Sequence, residues 1–323
     1  MNQTGMEGSK TKSKLLNRKV AKSKSFNEVG PITNMVLNLI FISYSILCLF
    51  PLLLVIAVSF SSEKDIAVNG YKLWPEHFSL ASYQYLAHDM DKILNGYGVS
   101  ILVTVIGTVL GLAITALFAY PLSRRDFHFR NFFSFFIFFT MIFGGGLVPW
   151  YLVYTNLFPI QDTLLALIVP GLLLNAFYVI MMRTFFQITI HPSIIESATM
   201  DGAGELRVFF QIVLPLSTPV LATVGLFYTL QYWNNWFNSL VFINNNENMV
   251  NLQYLMYKTM ANIQYLTQNA QASGGVSSDL LAKYPNETVR MAMALIGMGP
   301  IVLAYPFFQK YFVKGLTIGA VKG

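Results

Sequence analysis

The sequence is poor in charge. Only 11% of its 323 residues are Asp, Glu, Lys or Arg, less than half the share of about 25% found in ordinary globular chains. So few charges do not cover the surface of a water-soluble domain of this length, which excludes a solvated globular fold. Cysteine is almost absent: Cys48 stands alone, so there is no intrachain disulfide and no thiolate cluster for a structural metal. The four histidines, His77, His88, His128 and His191, lie outside the apolar runs, and no H-E-x-x-H spacing occurs. No catalytic residue and no metal ligand is therefore assigned. A phosphate-cradling G-x-x-x-x-G-K-[ST] is also missing, so the chain has no such means of hydrolysing ATP.

Apolar and aromatic residues are abundant, at 54% hydrophobic and 15% Phe, Trp and Tyr. Six runs are close to or beyond the roughly 20 residues that a helix needs to cross a bilayer core: 34–60, 97–122, 131–156, 163–187, 213–235 and 291–309. They are continuously apolar, whereas barrel strands alternate over about ten residues. The expected fold is all-α: a polytopic membrane protein with six transmembrane helices in a lipid bilayer.

Lys and Arg set the orientation. Six apolar runs put both termini on one side, and about fifteen of the basic residues gather there: Lys10 to Lys24, Arg124, Arg125, Arg130, Arg183, Arg207, Lys310, Lys314 and Lys322. Lys64, Lys72, Lys92, Lys258, Lys283 and Arg290 fall on the other side. The excess makes both termini cytoplasmic. Basic charge belongs to these flanks and forms no basic-aromatic groove, so no nucleic acid is expected as partner. The run from Met35 to Phe60 exceeds the apolar core of about 7 to 15 residues in a secretory signal, and it is taken as an uncleaved first span.

Three segments follow: a basic cytoplasmic tail without regular structure over 1–30, a transmembrane domain over 31–310, and a short cytoplasmic tail over 311–323. The transmembrane domain includes a cytoplasmic loop at 191–213 and an outer loop at 237–288. In that outer loop Leu252, Leu255, Met256, Met260, Ile263 and Leu266 recur at helical spacing, which predicts an amphipathic helix.

The span cores hold no Asp, Glu, His, Lys or Arg, the groups that ion-driven carriers place inside the membrane. The chain then either passes solute passively or takes power from another subunit, and a borrowed source needs a docking element on the cytoplasmic side. The segment ESATMDGAGELRVFFQIVLPLSTP, Glu196 to Pro219, interrupts the apolar sequence on that side. His191-Pro192-Ser193 starts a helix well, because Pro is pre-set for the first turn and a polar residue satisfies free amides. Asp201-Gly202 permits a sharp bend, and a second helical piece runs from Glu205 to Val213. Two short helices about a glycine elbow make a compact knob under the membrane.

Glu196-Ser197-Ala198, Asp201-Gly202-Ala203 and Ile212-Val213-Leu214-Pro215 resemble the cytoplasmic loop of permease subunits in binding-protein-dependent ABC importers. The family's pattern is E-A-A, three residues, G, nine residues, I-x-L-P, and this sequence departs from it at Ser197. The resemblance implies that Glu196, Ser197, Ala198, Asp201, Gly202 and Ala203 couple the chain to an ATPase subunit. Ala119 to Arg124, Gly145 to Pro149, Tyr232 to Asn238 and Lys314 to Gly323 are similar to stretches in a branch of sugar importers for oligosaccharides and polysaccharide breakdown products. The same resemblance implies a second permease subunit, two ATPase subunits that bind ATP and Mg, an extracytoplasmic solute-binding protein and a carbohydrate substrate, in a bacterial cytoplasmic membrane. This chain would itself hold no cofactor and catalyse no bond change. Permeases for amino acids, phosphate or lipoprotein-related solutes are the alternative within the family, and a single-chain carrier is a more distant one.

Sugars suit amide and aromatic surfaces, because hydroxyls pair with Asn and Gln while ring C–H faces pack on Trp and Tyr. Candidate path residues are Gln231, Tyr232, Trp233, Asn234, Asn235, Trp236 and Asn238 at the outer end of the fifth run, with Asn175 and Tyr178 in the fourth. The same residue types also belt membrane interfaces and tie helices together. Gly144-Gly145-Gly146 and Pro149 should loosen or break the third run, as either a gate hinge or a close helix crossing, and the crossing is the expectation.

Overall fold

The computed structural model describes residues 30–172, 174–272 and 286–320. The basic tail up to residue 29, residues 273–285 of the outer loop and residues 321–323 lie outside the described residues. The chain divides into two units, residues 1–53 and residues 54–323.

The first unit contains most of helix α1 (Pro31–Ser59). From Ile32 to Leu53 nearly every apolar side chain of α1 is exposed. The Ser45 hydroxyl donates to the Phe41 carbonyl at 2.8 Å, so that polar group is satisfied within the helix. Such a surface is compatible with hydrocarbon and not with water.

The second unit takes in the end of α1 and then α2 (Glu63–Asn69), α3 (Ala81–Ala87), α4 (Met90–Ser123), α5 (Arg130–Ile142), α6 (Leu147–Leu157), α7 (Leu164–Leu172) and α8 (Ala176–Thr189). It continues with α9 (Pro192–Met200), α10 (Glu205–Leu216), α11 (Thr218–Trp233), α12 (Phe237–Phe242), α13 (Leu252–Ala272) and α14 (Glu287–Ala320). No strand occurs among the described residues; one isolated bridge pairs Ser61 with Phe78.

Helix α4 is the axis, packed by α11, α8, α7 and α13. Its glycines explain how two tyrosines of α11 come to lie wholly inside. A Cβ at Gly107 would fall 2.5 Å from the Tyr232 ring, one at Gly111 2.9 Å from Tyr228, and one at Gly171 of α7 2.7 Å from Tyr232. Only a residue without a side chain leaves room for those rings. Their hydroxyls are partnered: Tyr228 pairs with the Thr115 hydroxyl at 2.7 Å, and Tyr232 donates to the Ile168 carbonyl at 3.1 Å. Small residues that admit a neighbour closely, with hydroxyls as ties, are the usual means of joining helices where lipid removes the hydrophobic drive.

Three helical segments are long and apolar enough to cross a membrane unbroken: α1, α4 and the Glu287–Pro306 part of α14. The other three expected runs are each broken into a bent pair. The angles are 114° between α5 and α6, 53° between α7 and α8, and 82° between α10 and α11. Among the described residues, length and composition thus allow three crossings, or up to six if each bent pair spans once. The break in the third run agrees with the loosening expected at Gly144 to Pro149, while the expectation of continuous helices over 163–187 and 213–235 is corrected, and the causes are local. Gly146 takes φ +84°, Asn175 opens α8 as its N-cap, and Pro215 and Pro219 flank the break at Ser217. A close crossing at the glycines is also corrected: a Cβ at Gly144 or Gly145 would meet nothing within 4 Å.

The amphipathic outer helix is present as α13. Leu252 and Ile263 are buried, and Leu255, Met256 and Met260 pack in the same cluster with Trp233, Val289 and Met293; Leu266 alone of the expected set is exposed. At the start of α14 the Glu63 carboxylate accepts from the Glu287 and Thr288 amides, both at 3.0 Å, and from the Thr288 hydroxyl at 2.8 Å. A distant side chain thus caps amides that a helix start leaves free.

Candidate functional site

The knob is built as its sequence dictates. Pro192 occupies the first turn of α9, and the His191 ring lies 2.8 Å from the Ser193 hydroxyl and accepts from the Ser193 amide at 3.4 Å. At the other end Gly202 takes φ +81°. Its amide donates to the Thr199 carbonyl at 3.0 Å, and the Ala203 amide donates to the Ala198 carbonyl at 2.9 Å. These paired bonds around a left-handed residue form the glycine-closed helix end known as a Schellman motif. Backbone geometry, not packing, calls for glycine, since a Cβ at 202 would meet open space.

The six coupling candidates divide by face. Ile195 is buried, and Ala198 and Ala203 are half-buried against the main core beside Val208, Phe209 and Val213. Glu196, Ser197, Asp201 and Gly202 are exposed. Beside them Met200 is 89% and Leu206 70% exposed. The outer face of the knob is apolar and acidic, and unclothed by this chain.

The knob is tied to the central helix through residues that sequence analysis left unassigned. The Tyr120 hydroxyl, near the end of α4, donates to the Glu205 carboxylate at 2.9 Å, and its ring lies 5.2 Å from that of Phe209 in α10. Arg124 approaches Glu205 at 3.6 Å and Asp126 at 2.6 Å. The hydrogen bond to Arg124 holds the Asp126 carboxyl below the usual carboxylate range. The sequence carried one clue: Glu205 is an acid with no purpose in an otherwise apolar segment.

The nine path candidates separate into three groups. Tyr232, Trp233 and Asn238 are buried, and the Trp233 indole donates to the Gly297 carbonyl at 2.9 Å. Asn175, Tyr178 and Gln231 form one patch. The Asn175 side chain accepts from the Phe177 and Tyr178 amides, and the Tyr178 hydroxyl donates to the Gln231 side-chain oxygen at 3.4 Å. Tyr178 also stacks on Phe227, with ring centroids 5.8 Å apart. Asn234, Asn235 and Trp236 lie at the turn between α11 and α12. Asn234 bonds back to the Leu230 carbonyl at 2.9 Å, and Asn235 accepts from the Asn238 amide at 2.9 Å. Trp236 stacks on Tyr257 of α13 at 4.6 Å, and Tyr257 in turn on Tyr254 at 6.3 Å. The two tyrosines lay outside the path candidates because nothing in their helical spacing points to Trp236. Among the described residues no His, Cys, Asp and Glu cluster is shaped for a metal.

Residues 107–318 match the family described as binding-protein-dependent transport system inner membrane component. The chain is 38% identical over 285 residues to a polygalacturonan/rhamnogalacturonan transport system permease protein of Bacillus subtilis, covering 87% of this chain and 94% of that one. It is 35% identical to the protein LplC of the same organism, covering 89% and 94%. It is 26% identical to an arabinooligosaccharides transport system permease protein of Halalkalibacterium halodurans, covering 92% and 99%. Among solved structures it resembles a bacterial ABC transporter involved in the import of the acidic polysaccharide alginate, with TM-score 0.71, 29% identity, and 87% and 96% of the two chains covered. A match that takes in the knob, the broken helix pairs and most of α14 settles the family: the chain belongs to the binding-protein-dependent transport system inner membrane components, a multi-pass membrane permease family.

Proposed function

We propose that the chain is one of two permease halves of an ATP-driven importer for oligosaccharides or polysaccharide breakdown products in a bacterial cytoplasmic membrane. The second half, two ATPase subunits that bind ATP and Mg, and an extracytoplasmic solute-binding protein complete it. The names of the relatives support the saccharide class, since three of the four concern polysaccharides or oligosaccharides. The observation that carries the reading is the knob: a helix closed by Gly202, with Glu196, Met200 and Asp201 outward and Ala198 and Ala203 inward.

In this reading an ATPase subunit grips the exposed face around Met200 and Leu206. Nucleotide binding displaces α9 and α10 together, because Ala203 and Ala198 lock their junction. Glu205 and Phe209 pass the displacement to Tyr120 and so to α4, which packs on α11, α8 and α7. The solute meets the half-buried Asn175 and Tyr178 and the exposed Gln231, whereas Tyr232, Trp233 and Asn238 keep the helices in register. Trp236 and Tyr257 offer an aromatic face near the outer loop, of the kind on which sugar C–H faces pack.

Purified transporter in vesicles tests this reading. A panel of binding proteins loaded with pectin-derived, alginate-derived and neutral oligosaccharides is added, and ATPase stimulation is recorded. Stimulation by a saccharide-loaded member supports the reading. Stimulation only by an amino-acid or phosphate binding protein overturns the substrate class, and activity of this chain alone overturns the assembly.

A further inference from the structure

We propose that a pocket beside the knob binds the phosphate of an anionic phospholipid headgroup, held by Arg130 with Arg125. The pocket, about 830 Å³, lies between the end of α4, the start of α5, the end of α8 and α9. Arg124, Arg125, Arg130 and Gln187 line one part of it, and apolar Phe186 and Ile195 another.

Its lining carries a net positive charge, Arg124, Arg125 and Arg130 against Asp126 and Glu196. Arg124 is engaged by Asp126 and Glu205, but among the described residues Arg125, Arg130 and Arg183 have no carboxylate partner. Glu196 and Asp126 also line the pocket; Asp126 is committed to Arg124, and Glu196 pairs with no arginine. Arg130 and Arg183 converge on one neutral acceptor. With its amide oxygen turned to them, Gln187 receives Arg130 Nη2 at 2.9 Å and Arg183 Nε at 3.3 Å. Arg183 has one other partner, the Ser134 hydroxyl at 3.1 Å. Arg130 Nε is buried without any acceptor. Two like charges sharing an uncharged oxygen, with a further donor unmet, call for an anion, and a guanidinium fork matches phosphate oxygens in pairs.

The setting selects lipid as the source. Arg130 opens α5, and from two residues on that helix exposes Phe132, Phe135, Phe136 and Phe139. A guanidinium at the foot of an aromatic, hydrocarbon-ready face sits at headgroup depth. The pocket also touches Ile195, Glu196, Thr199 and Met200 of α9, so a headgroup there abuts the knob beside the face that the proposed function gives to the ATPase. The inference holds whichever solute is carried.

The test uses the whole transporter in nanodiscs of phosphatidylcholine with phosphatidylglycerol, counting phosphatidylglycerol retained per complex by native mass spectrometry. Arg130→Gln, and separately Arg125→Gln at an exposed position, should each cut retention roughly tenfold, the scale of losing one charge-assisted hydrogen bond. Arg130→Lys should fall between, keeping charge but losing the fork. Arg207→Gln, outside the pocket, should retain as the unaltered protein does. Equal losses in Arg207→Gln would reduce the effect to general surface charge and overturn the proposal. Undiminished retention in both glutamine variants would overturn it as well. Inorganic phosphate added to phosphatidylglycerol discs should leave retention unchanged; displacement of the lipid at millimolar phosphate would assign the site to a free anion instead.

Discussion

The amide of Ala203 reaches back over Gly202 to the carbonyl of Ala198 at 2.9 Å, and this bond fixes the angle between the two halves of the knob. It forms only with residue 202 left-handed, at φ +81°, a conformation that costs a side-chain-bearing residue roughly 1–2 kcal/mol. Gly202→Val should therefore abolish uptake and uncouple ATPase activity while membrane insertion stays normal. Gly202→Asn separates causes, since asparagine accepts left-handed backbone and the space beyond is open within this chain. If asparagine restores uptake, backbone geometry is the requirement; if it does not, the partner fills the space over Gly202.

Tyr120 and Glu205 stand 85 positions apart and meet at 2.9 Å. Tyr120→Phe removes the hydrogen bond donated to Glu205, worth about 1.5–3 kcal/mol, and the long one accepted from Arg124 Nη1 at 3.4 Å, and leaves the ring on Phe209 in place. Uptake per ATP hydrolysed should fall several-fold with little change in the amount of folded protein. An unchanged ratio would show that the tie carries no motion.

Gly107 lies under the Tyr232 ring, with 2.5 Å available to a Cβ. Gly107→Val forces the ring or the helix aside, and overpacking of this kind costs about 1–3 kcal/mol. The melting temperature of the detergent-solubilised complex should drop. Tyr232→Phe loses only the bond to Ile168 and should cost about 1 kcal/mol; Gly107→Val combined with Tyr232→Ala should recover part of the loss if the ring is what the valine strikes.

Asp162 closes a contact between the loop that follows α6 and the one that follows α12. Its carboxylate accepts from the Asn244 amide at 2.7 Å and the Asn245 amide at 2.9 Å, and these bonds, Asn245 foremost, hold its pKa below the usual carboxylate range. A pKa depressed by folding contributes stability at pH values above the unfolded value of about 3.9, and that contribution is lost as pH falls through the folded pKa. Asp162→Asn should thus lower the melting temperature at pH 7, and the gap to the unaltered protein should narrow as pH falls below about 4. A gap independent of pH would assign the effect to shape, not charge.

Much of this architecture was legible because hydrocarbon imposes a length and a composition on any helix that crosses it. The runs 34–60 and 97–122 coincide with α1 and most of α4 for that reason. The knob was legible because Pro192 and Gly202 are punctuation with one physical meaning each. The break in the third run was legible from Gly144 to Gly146 and Pro149, but not its use, since such a break serves a crossing or a hinge equally and only the empty space around Gly144 and Gly145 decides against the crossing; the breaks at Asn175 and Ser217 were not legible. Nor was the burial of Tyr232 and Trp233 legible: an aromatic beside asparagines looks like a sugar platform until Gly107 and Gly171 are seen to make room for it. The tie from Tyr120 to Glu205 joins residues far apart in sequence, and a single chain without its fold gives no register between them.

The central claim is that the face of the knob around Met200 is held by a separate ATPase subunit. Cys48 is the only native cysteine, so Cys48→Ser gives a clean background into which Met200→Cys is placed, with Leu157→Cys at an exposed site elsewhere as control. Disulfide cross-linking of the assembled transporter to cysteines along the surface cleft of its ATPase should trap Met200→Cys in high yield, with a yield that changes when ATP is added, and should not trap Leu157→Cys. A folded, membrane-inserted Met200→Cys transporter that forms no cross-link to any ATPase position, with or without nucleotide, would contradict the account.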